Sequence, residues 1–290
     1  MASMKEIKRR KESIQSTEQI TKAMKLVSTV KLQKAKNKAE NTKPYFNLMY
    51  EAVNKMLKKS GGINHPYLTG GEGGKKAIVV ITSNRGLAGG YNSNIVKMIL
   101  SNEEVAKEDA LIYAVGRKGK DALQRRGYEI AYDMSDAMEG PVFADASVLG
   151  KQLLADFAEG KISEIYLAYT DFKNTVSHIP TFVKLLPVEI PEGEESESED
   201  PNEKLTLMNY EPEAEEALNL IIPSYINSML YGGLMQSFAS ENGARMQAMD
   251  SATNNADDMI SKLSLSYNRA RQGSITQEIT EIIAGANAIG

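Results

Sequence analysis

The sequence predicts an α/β protein in which a long antiparallel coiled coil of the N- and C-terminal helices carries a Rossmann-like α/β domain. Helix-favouring residues fill both ends of the 290-residue chain. Apolar, β-branched runs alternate with helical stretches in the middle, which is typical of βαβ units. A heptad repeat near the C-terminus indicates a coiled coil.

The first predicted element is a helix over residues 1–59. Lys, Glu, Ala, Gln, Met and Leu are abundant there, and Pro44 is its only proline and a possible kink. Positions seven apart form a row that shrinks from large to small side chains, so a partner helix could approach closely. The row is Ile7, Ile14, Thr21, Ser28 and Ala35. The Gly- and Pro-rich residues 61–74 end this helix.

The second predicted element is an α/β domain over residues 76–190. Apolar runs predict strands at 76–83, 111–116, 164–172 and 181–190, and helical stretches at 92–105, 117–127 and 145–160 lie between them. This alternation predicts a largely parallel sheet. The acidic residues 191–207 are expected to be a variable connection without a site, and the stretch from Glu192 to Asp200 is its most acidic part.

The third predicted element is a helix over residues 208–290, on the order of 100 Å long. Its apolar residues alternate at spacings of 3 and 4, which is a coiled-coil seam. The seam comprises Met246, Met249, Thr253, Ala256, Ile260, Leu263, Tyr267 and Ala270. It then shifts by one position to Ile275, Ile279, Ile282 and Ala286. An exposed apolar tip would favour aggregation, so we expect the tip to be seated in another protein.

Composition excludes several functions and leaves the partner open. The chain has no cysteine, which excludes disulfides, thiol catalysis and cysteine-ligated metals. No apolar stretch is long enough for a membrane span, and no signal peptide is expected. Residues 1–59 carry a net charge of +10 and the remainder −14. The basic end therefore favours nucleic acid, an anionic membrane or an acidic protein as partner.

The Gly-rich segment 81–92 is the strongest candidate for a ligand site. It follows a predicted strand and opens a helix, where phosphate-binding loops occur. Neither GxGxxG nor GxxxxGK[ST] is present, so a tight turn that needs positive φ is favoured over nucleotide binding. His65 and His178 lie far apart in sequence, and no catalytic set is visible. We therefore predict no catalytic residue, cofactor or metal.

Three stretches of the sequence resemble the γ subunit of bacterial F-type ATP synthases. The opening IKRRKESIQSTEQITKAMKLV is similar to that family's N-terminus, and TSNRGLAGGYN to its T-S-D-R-G-L-C-G-G-x-N segment. The C-terminal ITQEITEIIAGANA fits the family pattern [IV]-T-x-E-x-x-[DE]-x-x-x-G-A-x-A. Ala88 stands where the family often has cysteine, which argues against an essential thiol there.

The resemblance implies a rotor shaft inside a ring of three alpha and three beta subunits. Its foot would bind the epsilon subunit and the membrane c-ring, at the cytoplasmic face of the cell membrane and without membrane insertion. Ion flow would turn the shaft and so cycle the three catalytic sites. Catalytic residues would belong to the other subunits, and no nucleic acid would be involved.

The resemblance also implies contact residues, position by position. Those facing the alpha–beta ring would be Met24, Arg245, Arg271, Gln272, Thr276, Glu278, Ile279 and Ile282. Those facing the c-ring and epsilon would be Tyr210 and Glu211.

Two other classes of function remain open from the residues alone. One is an enzyme or nucleotide-binding module built on the central domain. The other is a basic coiled-coil protein that binds nucleic acid, although no aromatic residue lies between positions 5 and 43 to stack on bases.

Overall fold

A computed structural model of the chain describes residues 4–59, 65–71, 74–188 and 214–289. The chain divides into two compact units. The coiled-coil unit pairs the residues up to Thr29 with those from Arg245 onwards, and the α/β unit extends from Val30 to Ala244. Helix α1 (Met4–Lys59) and helix α6 (Ala214–Ile289) contribute residues to both units.

A five-stranded sheet forms the centre of the α/β unit. Its spatial order is β3-β2-β1-β4-β5, in which the first four strands are parallel and β5 is antiparallel to β4. The strands are β1 (Lys75–Ile81), β2 (Ala110–Val115), β3 (Glu129–Asp133), β4 (Ile162–Phe172) and β5 (His178–Leu186). This topology confirms the predicted Rossmann-like, largely parallel sheet.

Helices cover both faces of the sheet, as a parallel sheet requires. Besides α1 and α6, the helices of this unit are α2 (Pro66–Thr69), α3 (Tyr91–Leu100), α4 (Arg117–Gln124) and α5 (Phe143–Ala158), with a 3₁₀ helix at Ser135–Glu139. On one face, Ile95 of α3 and Leu123 of α4 pack against the central strands. On the other face α6 lies so close that a Cβ at Gly233 would meet Leu167 at 3.0 Å.

Some predicted boundaries differ from the observed ones. Strand β3 was not predicted, because its exposure alternates along the edge of the sheet and its sequence is not an apolar run. The strand predicted over 181–190 is β5, which begins at His178 and ends at Leu186. Proline cannot donate to a β-ladder, and Pro187 follows directly. The helix predicted over 92–105 ends at Leu100, and α1 continues through Pro44.

No helix in the described ranges combines the length and the apolar character that a membrane crossing requires. The acidic residues 192–200 lie outside the described residues.

Candidate partner-binding surface

The seam of the coiled-coil unit follows the predicted heptad pattern of α6. All eight seam positions from Met246 to Ala270 are buried or half-buried. Met249, Thr253 and Ala256 are the most enclosed of them. Periodicity alone therefore identified the inward face of this helix.

Helix α1 contributes two rows of residues to the same seam. The first is the predicted row, which is half-buried at Ile7 and Ile14 and buried at Thr21 and Ser28. The second row lies four residues beyond each of the first three positions, at the spacing of a coiled coil. Sequence analysis missed it because charged residues occupy it. These half-buried residues are Lys11, Glu18 and Lys25.

Polar contacts join the two helices across the seam. The hydroxyl oxygens of Thr21 and Thr253 lie 2.7 Å apart in a buried hydrogen bond. One turn further along α1, Lys25 Nζ donates to Asp250 Oδ1 at 2.6 Å. Residue numbers rise along α1 as they fall along α6, which confirms the predicted antiparallel pairing.

An ion pair within α1, at the edge of the seam, adds charge beside this polar contact. Lys22 Nζ contacts the Glu18 carboxylate. The hydrogen bond from Lys22 lowers the pKa of Glu18, and the same bond raises the pKa of Lys22. Asp257 of α6 also favours the charged form of Lys22. Both side chains therefore stay charged at neutral pH, the Lys22 side chain exposed and the Glu18 side chain half-buried beside the seam.

Beyond residue 270 the last part of α6 has a fully exposed surface. The antiparallel register brings the beginning of α1 opposite Ala270, and every residue from 271 to 287 is exposed. The exposed apolar side chains in this tip are Ile275, Ile279, Ile282 and Ile283. Ile283 was not singled out from the sequence, because it lies one position outside the 3,4 row.

The structure places the other predicted contact residues in two groups. Arg271, Gln272, Thr276 and Glu278 lie in the exposed tip with Ile279 and Ile282. Thr276 Oγ1 donates to the Gln272 carbonyl oxygen at 2.9 Å, so its proton is used within the helix. Met24 and Arg245 are half-buried in the coiled-coil unit. Tyr210 and Glu211 lie outside the described residues.

Sequence analysis missed a group of exposed apolar residues on α1. Ile20, Leu26 and Val27 are 59%, 68% and 57% exposed. Their signal was present, since Ile20, Met24 and Val27 are spaced by 4 and 3 residues. The adjacent heptad row from Ile7 to Ala35 was predicted as the seam instead.

The Gly-rich turn after β1 is closed by its own hydrogen bonds. Ser83 N donates to Asn92 Oδ1 at 2.9 Å. Asn84 Oδ1 accepts from Arg117 N at 3.0 Å, and Asn84 Nδ2 donates to the Ser135 carbonyl at 2.7 Å. These side chains therefore tie neighbouring loops together at the carboxyl edge of the sheet, which favours the tight-turn interpretation.

The backbone of this turn meets the expectation of positive φ at only one of its glycines. Gly89 has φ of 54°, and Leu87 has φ of 63°. Gly90 instead has an ordinary helical φ of −81° at the start of α3. A non-glycine residue with positive φ is uncommon, so Leu87 is the unexpected member of this turn.

Comparisons with known proteins agree over the whole chain. The profile of the family described as ATP synthase matches residues 3–289. The chain is 71% identical to the ATP synthase gamma chain of Lachnoclostridium phytofermentans, covering 100% of both chains. It is 40% identical to the sodium ion specific ATP synthase gamma chain of Acetobacterium woodii, covering 99% of this chain and 98% of the relative.

Solved structures are similar as well. A chain from the central stalk and c-ring of the Tetrahymena thermophila mitochondrial ATP synthase matches with a TM-score of 0.60 and 26% identity, covering 80% of this chain and 99% of its own. A chain from the Euglena gracilis mitochondrial ATP synthase matches with a TM-score of 0.65, covering 99% of this chain and 94% of its own. At 18% identity the second match concerns the fold alone.

Proposed function

The chain belongs to the family of ATP synthase gamma chains, and from that premise we propose that it is the rotating central shaft of an F-type ATP synthase. In this role it couples ion-driven rotation of a membrane c-ring to the conformational cycle of three catalytic sites. The observation that carries the proposal is the apolar tip of α6, which extends past the start of α1 in the antiparallel register.

The tip is a single helix whose apolar side chains have no cover within the described chain. Ile282 is 71% exposed and Ile279 is 52% exposed. Apolar surface in water costs about 25 cal/mol per Å². A surrounding protein that covers this row would recover that free energy, and a ring of alpha and beta subunits is such an enclosure. Ile279 and Ile282 are the proposed anchors.

The polar residues of the tip and coil suit a contact that changes during rotation. Arg271, Gln272, Thr276 and Glu278 are exposed, and exposed charged contacts form and break at little cost in free energy. We assign them, with Met24 and Arg245, to contacts with the alpha–beta ring. Tyr210 and Glu211 are assigned to contacts with the c-ring and epsilon subunit on the basis of resemblance alone.

The chain itself is proposed to be non-catalytic. The side chains at the Gly-rich turn are engaged in structural hydrogen bonds, which supports a structural turn over a nucleotide site. The proposed location is the cytoplasmic face of the cell membrane, where the chain is peripheral and belongs to the complex through its protein partners.

A charge introduced into the apolar row tests the seating of the tip. Ile282→Lys places an ammonium group in the proposed enclosure, and we expect assembly with alpha and beta subunits and coupled ATP synthesis to fall. Gln277→Lys is the matched control, because residue 277 lies on the same exposed stretch but about 200° around the helix from Ile279. Equal losses in both variants, or none in Ile282→Lys, would contradict seating through this row.

Co-purification tests the assembly as a whole. The tagged chain should bring down alpha, beta and epsilon subunits, with one copy of this chain for three alpha–beta pairs. A ratio of one to one would contradict a single central shaft, and tight calorimetric binding of nucleotide to the isolated chain would favour an enzyme or nucleotide module instead.

A further inference from the structure

Helix α1 carries two alternative seams side by side between residues 20 and 28. Ile20, Met24 and Val27 form an apolar row with spacings of 4 and 3. Thr21, Lys25 and Ser28 form a polar row with the same spacings, one residue further along. Either row has the periodicity of a coiled-coil seam. The structure buries Thr21 and Ser28 of the polar row.

Within residues 20–28, burial of apolar surface would favour the opposite choice. A rotation of α1 about its own axis by one residue, about 100°, would bring the apolar row into the seam. Ile20 and Val27 are instead more than half exposed. Apolar burial is the main driving force for helix pairing in water. Ile7 and Ile14, which share the face of Thr21, favour the observed rotation. Between residues 20 and 28 apolar burial opposes it, so a specific contact must hold the rotation in this stretch.

The buried pair of threonines supplies that contact. Thr21 and Thr253 are 7% and 6% exposed, and their hydroxyls lie in hydrogen-bond contact with each other. Each is also within reach of a carbonyl oxygen of its own helix, Glu18 O at 2.9 Å and Met249 O at 2.8 Å. Two protons serve these three contacts, so one hydroxyl donates to the carbonyl oxygen of its own helix while the other donates across the seam to the first hydroxyl. Rotation of α1 would break the interhelical bond.

The neighbouring ion pair also favours the observed rotation of α1. Lys25 Nζ bonds Asp250 across the helices, and rotation of α1 by one residue would carry Lys25 away from Asp250. Both side chains of the pair are nearly half exposed. The pair therefore contributes less to the free-energy difference between the two rotations than the buried hydroxyls do.

We propose that the Thr21–Thr253 hydrogen bond, assisted by Lys25–Asp250, sets the rotational phase of α1 in the coiled coil. Polar seam residues in coiled coils are known to specify alignment at a cost in stability. The consequence here is that the row of Ile20, Met24 and Val27 stays on the outside of the coil. Thr21 and Thr253 are thus positioning residues, and this role holds whether or not the chain turns within a complex.

Disulfide trapping in the full chain tests the phase directly, because the chain has no cysteine of its own. Ser28 and Met246 lie one heptad from Thr21 and Thr253, so Ser28→Cys with Met246→Cys reports the observed phase. Val27→Cys with Met246→Cys reports the rotated phase. With both threonines present, we expect the first pair to oxidise and the second to stay reduced.

The substitution Thr21→Val with Thr253→Val keeps the size of both side chains and removes both hydroxyls. Loss of the interhelical hydrogen bond should move the ratio of the two trapped phases by roughly two- to tenfold toward the rotated phase. Thr21→Ser with Thr253→Ser should restore the parent ratio. Thr17→Val is the matched control outside the seam, because the exposed Thr17 hydroxyl bonds only its own helix at the Ser13 carbonyl.

An unchanged ratio in the double valine variant, with helix content preserved by circular dichroism, would overturn the proposal. Should that variant lose helix content, Thr21→Ala alone is measured in its place. The maleimide labelling rate of a single Val27→Cys should then be lower with Thr21→Ala than with Thr21. An unchanged or faster rate would contradict the proposal that the threonine pair sets the rotational phase of α1.

Discussion

The α/β unit and the coiled-coil unit differ in the size and polarity of the side chains that they bury. Among the described residues, the largest fully buried side chains all belong to the α/β unit, and they include Tyr113, Ile78 and Leu153. The centre of the coiled-coil seam instead combines Met249 with small or polar side chains such as Thr21 and Ala256. The first unit therefore carries its own stabilising core, whereas long helices gain most of their stability from tertiary packing, of which this thin seam supplies little.

The largest expected effect comes from comparing the same type of substitution, leucine to alanine, in the two units. Leu153→Ala in α5 removes a fully buried side chain and should lower the free energy of unfolding by about 2 to 5 kcal/mol. Leu263→Ala in the seam removes a half-buried one and should cost only roughly 1 kcal/mol. Urea denaturation of both variants measures the difference. Similar losses at the two sites would remove the contrast between the units.

The second prediction concerns the backbone of the α/β unit. Gly116 has φ of 98°, and a Cβ there would lie 1.9 Å from the Thr82 carbonyl oxygen. Gly116→Ala should therefore lower the free energy of unfolding by roughly 1 to 3 kcal/mol. Gly86→Ala is the control, since its Cβ would meet nothing within 4 Å. Thermal unfolding should separate the two variants, and a large loss in Gly86→Ala would show that the turn has a constraint beyond sterics.

The third prediction uses the polar network around Asp156 in α5. Tyr113 of β2 donates to Asp156 Oδ2 at 2.7 Å, and Gln152 and Lys161 also donate to this carboxylate. Burial acts to raise the pKa of Asp156, but these hydrogen bonds outweigh burial and lower it. Tyr113→Phe should lower the free energy of unfolding at neutral pH by about 1.5 kcal/mol or somewhat more, as does the loss of other hydrogen bonds to charged groups.

The pH dependence of that loss has a definite sign. Because the folded-state pKa of Asp156 is lowered, its stabilising contribution is complete above the unfolded pKa of about 3.9 and disappears as the pH falls through the folded value. The stability difference between the parent and Tyr113→Phe should therefore be constant from pH 7 to 5 and shrink below about pH 4. Unfolding curves over this range measure it, and a difference that grows in acid would contradict the network.

The smallest expected effect lies in the coiled-coil unit. Lys25→Ala removes an ion pair that is nearly half exposed on both sides, so the change in unfolding free energy should stay below about 0.5 kcal/mol and vanish at high salt. Denaturation at low and high salt checks this. A loss as large as that of Tyr113→Phe would mean that the coil depends on charge as much as the α/β unit depends on its buried network.

Sequence patterns identified most of the helices and four of the five strands. They worked where burial follows hydrophobicity, as in the strand that contains Ile78 and in the α6 seam from Met246 to Ala270. They missed β3, whose edge position leaves alternate residues exposed. They also missed the half-buried row of Lys11, Glu18 and Lys25, because charged side chains do not mark a seam.

The exposed tip was predicted with its main apolar residues, since Ile275, Ile279 and Ile282 have helical spacing. The exposed row on α1 was not, because Ile20 and Val27 look from sequence like ordinary candidates for burial. Periodicity defines which residues share a face of a helix, but it does not define which face turns inward when two faces compete.

The sequence by itself determined the fold class, the heptad seam of α6 and the family to which the chain belongs. Those features depend on local propensity and on spacing, which are written in the order of residues. The tertiary structure decided which row of α1 enters the seam and how the Gly-rich turn is closed. Both depend on hydrogen bonds between residues far apart in sequence, Thr21 with Thr253 and Asn84 with Ser135, whose geometry exists only once the chain has folded.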